Sequence, residues 1–161
     1  MQIALFFPSK VKPSEITLIE SVYLNRLKKY KVNIEEYRYL KLEGDLTKIK
    51  RFNDESILKK IKKNDILIVC DERGKLVKSE DMVNILKDFR DVYKINKRRL
   101  VFLIGGPYGF SDLIRKRADI TCSLSGLVLA SGIARIVLLE ALYRSFMIID
   151  NHPYHNEWKM F

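Results

Sequence analysis

The chain has 161 residues, enough for a single domain spanning 1–161 whose core of sheet and helices needs neither a disulfide nor a metal to hold it. Its 30 Lys and Arg outnumber 20 Asp and Glu, and the resulting formal charge of +10 points to a polyanionic partner, nucleic acid first. The competing explanation is that lysines spread over Lys28-Lys29, Lys59-Lys60, Lys62-Lys63 and Lys97-Arg98-Arg99 merely solvate helix faces.

The two cysteines, Cys70 and Cys122, each lie in an apolar run, as reduced thiols of a cytoplasmic protein do, so no disulfide is expected. Met1 to Pro8 lacks a basic leader and is too short for a signal peptide. The apolar tract from Ile133 to Ile149 is broken by Arg135, Glu140 and Arg144, which makes it a soluble helix and not a membrane span. A cytoplasmic protein without membrane partners is expected.

Gln2 to Phe7 reads as the first strand and Pro8 to Pro13 as a loop leading to Ser14, a candidate helix cap. Ile16, Ile19, Tyr23, Leu27 and Tyr30 then recur at helical spacing, predicting one buried stripe. Val32 to Leu40 predicts the second strand. Gly44-Asp45 punctuates a loop before a basic segment with Ile49 and Phe52, and Asp54 is a candidate cap for a helix through Ile57, Leu58 and Ile61. Ile66 to Cys70 is a wholly apolar strand leaving through an Asp71-Glu72-Arg73-Gly74 loop, a first place to hold a ligand. Ser79 is a candidate cap for a helix through Met82, Val83, Leu86 and Phe89.

Val101 to Ile104 is again apolar throughout and runs into Gly105-Gly106-Pro107-Tyr108-Gly109. Glycines there allow backbone to approach a ligand, at what would be the ligand-facing edge of a parallel sheet; a tight strand-to-helix turn without a ligand explains them equally well. The loop is neither a P-loop nor a dinucleotide fingerprint. Ser111 can cap a short helix ending in Arg115-Lys116-Arg117.

Ile120 to Leu129 predicts a short strand entering a loop of small residues, able to bind a purine between Leu127 and Leu129 or to form an ordinary turn. Gly132 to Ile149 predicts a helix apolar on nearly every side, with Glu140 and Arg144 paired at four-residue spacing, so a second subunit is expected to help cover it. The only histidines, His152 and His155, flank Pro153 and lack a third ligand; no metal is expected, and an aromatic, polar tail suits covering a site or stacking a base, with a tail that simply packs as the alternative. Strands alternating with helices predict an α/β fold with a mostly parallel sheet flanked by helices.

Ile104-Gly105-Gly106-Pro107, Ser123-Leu124-Ser125, Arg135, Glu140-x-Leu142-Tyr143-Arg144 and Asn151-His152-Pro153-Tyr154-His155, in this order and spacing, resemble the RlmH family of the SPOUT class. Ile68-Val69-Cys70-Asp71 and Gly74-Lys75 extend the resemblance, which is close over the last third and rests on length and element order elsewhere. It implies a homodimer that methylates N3 of a pseudouridine in large-subunit ribosomal RNA of the ribosome, with a C-terminal trefoil knot around S-adenosyl-L-methionine. By the same resemblance the cofactor-binding residues are Cys70, Gly105, Leu124, Ser125, Gly126, Leu127, Val128 and Leu129. Arg144, Tyr154 and His155 fall on the substrate side, with the tail serving the partner's site. Arg135 or Arg144 would contact phosphate or stabilise the developing imide anion.

Two departures stand out: Ser131 replaces the family's histidine four residues before Arg135, and Asn156 replaces a basic residue after the Tyr-His pair. They keep open an RNA-binding module of the same fold without turnover, and the generic Gly-Gly loop keeps open an enzyme using another nucleotide cofactor.

Overall fold

The computed structural model describes residues 2–8, 14–40 and 43–154. In chain order the elements are β1 (Ile3–Pro8), α1 (Ser14–Leu27), a 3₁₀ turn (Lys28–Tyr30), β2 (Val32–Tyr37), α2 (Leu46–Leu58), β3 (Ile66–Leu76), α3 (Ser79–Asn96), β4 (Leu100–Ile104), α4 (Asp112–Arg117), β5 (Ile120–Ser123) and α5 (Ser131–Ile149). All strand pairs are parallel, in the order β2-β1-β4-β3-β5.

The apolar runs explain why the sheet is covered twice. Ile3, Leu5 and Phe7 of β1, with Leu100, Phe102 and Ile104 of β4, face α1, α3 and α5. Ala4 and Phe6, with Val101 and Leu103, face α2 and α4. Successive side chains of a strand point to opposite faces, so only strands apolar at every position can bury both. Helix α5, uniformly apolar as predicted, packs against both α1 and α3, and Tyr30 stacks on Phe146 at 3.8 Å between ring centres. Much of its apolar surface is thus covered within the chain: Leu138, Leu139 and Leu142 are fully buried.

Several expectations need correction. Asp45, not Asp54, caps α2: its Oδ1 accepts from Thr47 N at 2.7 Å, and the basic segment around Ile49 and Phe52 is the first half of the helix. Asp54 lies inside α2 and is fully buried. The loop expected at Asp71–Gly74 belongs to β3, which shifts register between Cys70 and Lys75, both opposite Cys122, and runs on to Leu76. Ser79 is the first residue of α3; Lys78 holds the cap position, and its N–H donates to Asp81 Oδ2 at 2.8 Å. β2 ends at Tyr37, short of Leu40. On α1, Ile19 stands outward while Glu20 is buried, because Arg135 draws that carboxylate in. Ser111 does cap α4, its Oγ accepting from Leu113 N at 3.3 Å. Residues 9–13 of the predicted loop, and the side chain of Ser14, lie outside the described set.

Candidate active site

A parallel sheet gathers all its strand C-termini at one edge, and there a cavity of about 550 Å³ lies between Cys70 to Arg73 of β3 and the loops after β4 and β5. That size suits one nucleoside-like molecule. Cys70, Gly105, Leu124, Ser125, Leu127, Val128 and Leu129 all line it; Gly126, the eighth expected residue, does not. Ser131 and Ala134 of α5 close one side.

The loop after β5 takes its shape from its small polar residues. Ser123 Oγ donates to the Ser125 carbonyl at 2.7 Å, and Leu127 N donates to Ser125 Oγ at 3.0 Å, local turns that serine favours. Leu127 and Val128 are consequently left 75% and 80% exposed at the cavity mouth. Apolar residues held open to solvent beside a cavity are a surface awaiting a ligand or partner.

The loop after β4 is held from behind. Tyr37 Oη donates to the Ile104 carbonyl at 2.6 Å, and Ser111 N donates to Asp54 Oδ2 at 2.6 Å. The Tyr39 ring lies flat against Gly106, where an added Cβ would meet it at 2.5 Å. At Gly105 an added Cβ would point at the Phe110 ring, 3.0 Å away. Its lack of a side chain therefore leaves room for Phe110, which itself lines the cavity. Tyr39 Oη, Asp54 Oδ1 and Arg115 Nε are buried without a hydrogen-bond partner among the described residues. Neither Tyr39 nor Asp54 stood out in the sequence as belonging to the site, because both are remote in the chain from the Gly105–Pro107 turn that they back. Arg115, expected only to favour a helix end, reaches Asp71 at 3.2 Å on the cavity wall.

Cys70 and Cys122 are free and face each other across β3 and β5. A hydrogen bond shared with Cys122, with burial behind it, holds the Cys70 thiol well above its ordinary range, so it is an uncharged wall and not a nucleophile.

The residues expected on the substrate side lie elsewhere. Arg144 pairs with Glu140 at 2.6 Å, as its spacing predicted, and sits over the Tyr154 ring at 5.2 Å, with Tyr143 edge-on to Tyr154 at 5.0 Å. Ten residues of helix separate Arg144 from Ala134 at the cavity, about 15 Å. Arg135 is 3% exposed, bound to Glu20 at 2.7 Å and Glu36 at 3.1 Å over the Phe7 ring, so its guanidinium is engaged in the core and does not line the cavity. His155 lies outside the described residues. Among the described residues no cluster of three His, Cys, Asp or Glu is arranged to hold a metal, and no helix is long and apolar enough to cross a membrane.

Residues 1–155 match the family model described as predicted SPOUT methyltransferase. The chain is 33% identical over 159 residues to the ribosomal RNA large subunit methyltransferase H of Christiangramia forsetii, covering 97% of this chain and 99% of that one. To the protein of that name from Geobacter sp. (strain M21) it is 34% identical over 158 residues, covering 98% and 100%. To that of Syntrophotalea carbinolica it is 41% identical over 114 residues, 71% of each. A ligand-sized cavity at the strand C-termini, joined to a match of this extent, means that the chain belongs to the SPOUT methyltransferase family.

Proposed function

We propose that this protein methylates large-subunit ribosomal RNA in the cytoplasm, using S-adenosyl-L-methionine, at N3 of a pseudouridine and on the assembled ribosome. The observation that carries this reading is the convergence of Cys70 to Arg73 of β3 and the loops after β4 and β5 on one cavity in a member of this family. The cavity fits the cofactor: backbone and small polar groups of Ser123 and Ser125 lie beside exposed Leu127 and Val128, a setting for a purine.

When bound, the cofactor supplies an already activated methyl group, so what this chain has to add is chiefly alignment. In this reading the loops after β4 and β5 grip the cofactor. Arg144, Tyr154 and His155 hold the base and favour loss of its N3 proton, with His155 a candidate acceptor. Arg135, held by two carboxylates in the core, acts by positioning the start of α5 at the cavity.

We infer a homodimer as well. About 15 Å of helix separates Arg144 from its own cavity, whereas Leu18, Ile19 and Val22 of α1 and Ile133 of α5 are exposed apolar residues that a second copy can cover as it brings up its tail. The family's knot would thread the segment after β5 and fix the cofactor loops against one another.

The deciding experiment incubates the purified protein with labelled S-adenosyl-L-methionine and large ribosomal subunits from cells lacking it, then maps the label by mass spectrometry. Methylation of one pseudouridine is expected. Cofactor binding without transfer to any ribosomal RNA would instead favour the non-catalytic binding module, for which Ser131 at the cavity wall is the specific observation.

A further inference from the structure

The cavity occupies one edge of the sheet, and the surplus positive charge gathers at the other. In a parallel sheet every turn that enters a strand lies on the same rim, and here four of them are basic: Lys28 to Lys31 before β2, Lys59 to Lys63 before β3, Lys97 to Arg99 before β4 and Lys116-Arg117 before β5. In sequence these are separate short runs. Only the topology makes them one surface.

The rim is braced as well as charged. Arg117 donates to the carbonyls of Lys62, Lys63 and Asp65 at 3.2, 3.3 and 2.8 Å, tying the turn before β5 to that before β3. Arg98 donates to the Asn64 carbonyl at 2.7 Å, and Arg99 binds Asp65 at 2.7 Å, tying in the turn before β4. The rim's carboxylates are used up in these braces: Asp65 pairs with Arg99, Asp119 with Arg117 and Asp150 with Lys29. Among the described residues Lys28, Lys31, Lys59, Lys62, Lys63 and Lys116 are exposed and in no ion pair. Arginines thus hold the turns rigid while lysines face solvent as point charges, the division expected of a surface that binds phosphates without reading bases.

We propose that this rim is a second RNA-docking surface, binding the phosphate backbone of a ribosomal RNA segment distant from the nucleotide that is modified. Five residues of β4 at about 3.3 Å each put the rim about 15 Å from the cavity floor, farther than one nucleotide reaches, so it acts on docking and not on the methyl transfer. The proposal rests on the function proposed above and adds where on the molecule the RNA lies.

The test compares two triple variants with the same charge change, Lys59→Ala/Lys62→Ala/Lys63→Ala on the rim and, as a control, Lys48→Ala/Arg51→Ala/Lys87→Ala at exposed positions of α2 and α3 away from it, for binding to large ribosomal subunits across a salt series and for methyl transfer. For the rim variant, binding weakens about tenfold or more at moderate salt and the slope of log affinity against log salt falls by about 2 to 3, close to one for each phosphate that a lysine no longer neutralises. KM for subunits rises correspondingly, with kcat and cofactor affinity unchanged. The control variant binds and turns over as the wild type does. An unchanged salt slope in the rim variant, or equal losses in both variants, overturns the rim as a docking surface. Should the wild type transfer no methyl group, the enzymatic reading fails while the binding comparison still judges the rim.

Discussion

Asp54 is fully buried, and burial lifts its carboxyl above the ordinary 3.8 even though the Ser111 N–H partly stabilises the charge. A group with a raised folded value contributes stability that is present in acid and lost as pH rises through that value, so at neutral pH the ionised Asp54 is a burden on the fold. Asp54→Asn keeps an acceptor for Ser111 and removes the charge; thermal unfolding at neutral pH should show equal or higher stability than wild type, with the gap closing as pH falls toward the ordinary carboxylate range. Asp54→Leu strands the Ser111 N–H and should lose about 1–3 kcal/mol, together with cofactor affinity, because the Gly105–Ser111 loop loses its anchor. An Asn variant less stable than wild type at neutral pH would contradict this account. Arg135 teaches the same lesson from the opposite sign: the family resemblance offered it as a phosphate contact or a stabiliser of the imide anion, and in the structure two carboxylates distant in sequence, Glu20 and Glu36, bind it. Neither partner is legible from spacing.

At the level of elements, the join between β3 and β5 decides the cavity's shape. The Asp71–Gly74 stretch reads as a loop because its side chains are polar, but it is an irregular stretch inside β3: pairing with β5 breaks after Cys70 and resumes at Lys75, opposite Cys122 again, through backbone bonds that side-chain polarity does not report. Gly74 lies against Cys122 so closely that an added Cβ would stand 2.6 Å from its N, Cα and C atoms. Gly74→Ala should therefore force the strands apart, with a loss of about 1–3 kcal/mol in urea unfolding and weakened cofactor binding by calorimetry, since Cys70 and the loop after β5 both depend on that join. Gly126, with nothing within 4 Å of an added Cβ, offers the contrast: Gly126→Ala should unfold within about 0.5 kcal/mol of wild type. Equal effects of the two substitutions would mean that the join is not what fixes the loop.

For the whole molecule, the separation of Arg144 and Tyr154 from the cavity of their own chain makes the dimer testable by complementation. One subunit carries Gly105→Val, which displaces Phe110 and blocks the pocket; the other carries Tyr154→Ala and His155→Ala, which disable the tail. Purified through separate tags, a mixed dimer acting in trans retains one intact pocket served by one intact tail. It should recover about half the wild-type methylation per dimer, provided the two sites are independent. A mixed dimer as inactive as both parents would mean that each tail serves its own pocket.

By itself the sequence determined the layered α/β architecture, because strands apolar at every position can only be buried on both faces, and the family resemblance it carries named seven of the residues that line the cavity. The Ser111 cap and the Glu140–Arg144 pair were also legible, being local. Only the tertiary structure decided that Asp54 anchors the loop after β4, that Arg135 is spent on Glu20 and Glu36, that Gly105 makes room for Phe110, and that four basic runs form one rim. Each of these joins residues far apart in the chain, and hydrophobic period and spacing carry no information about which distant side chains the topology will bring within hydrogen-bond reach.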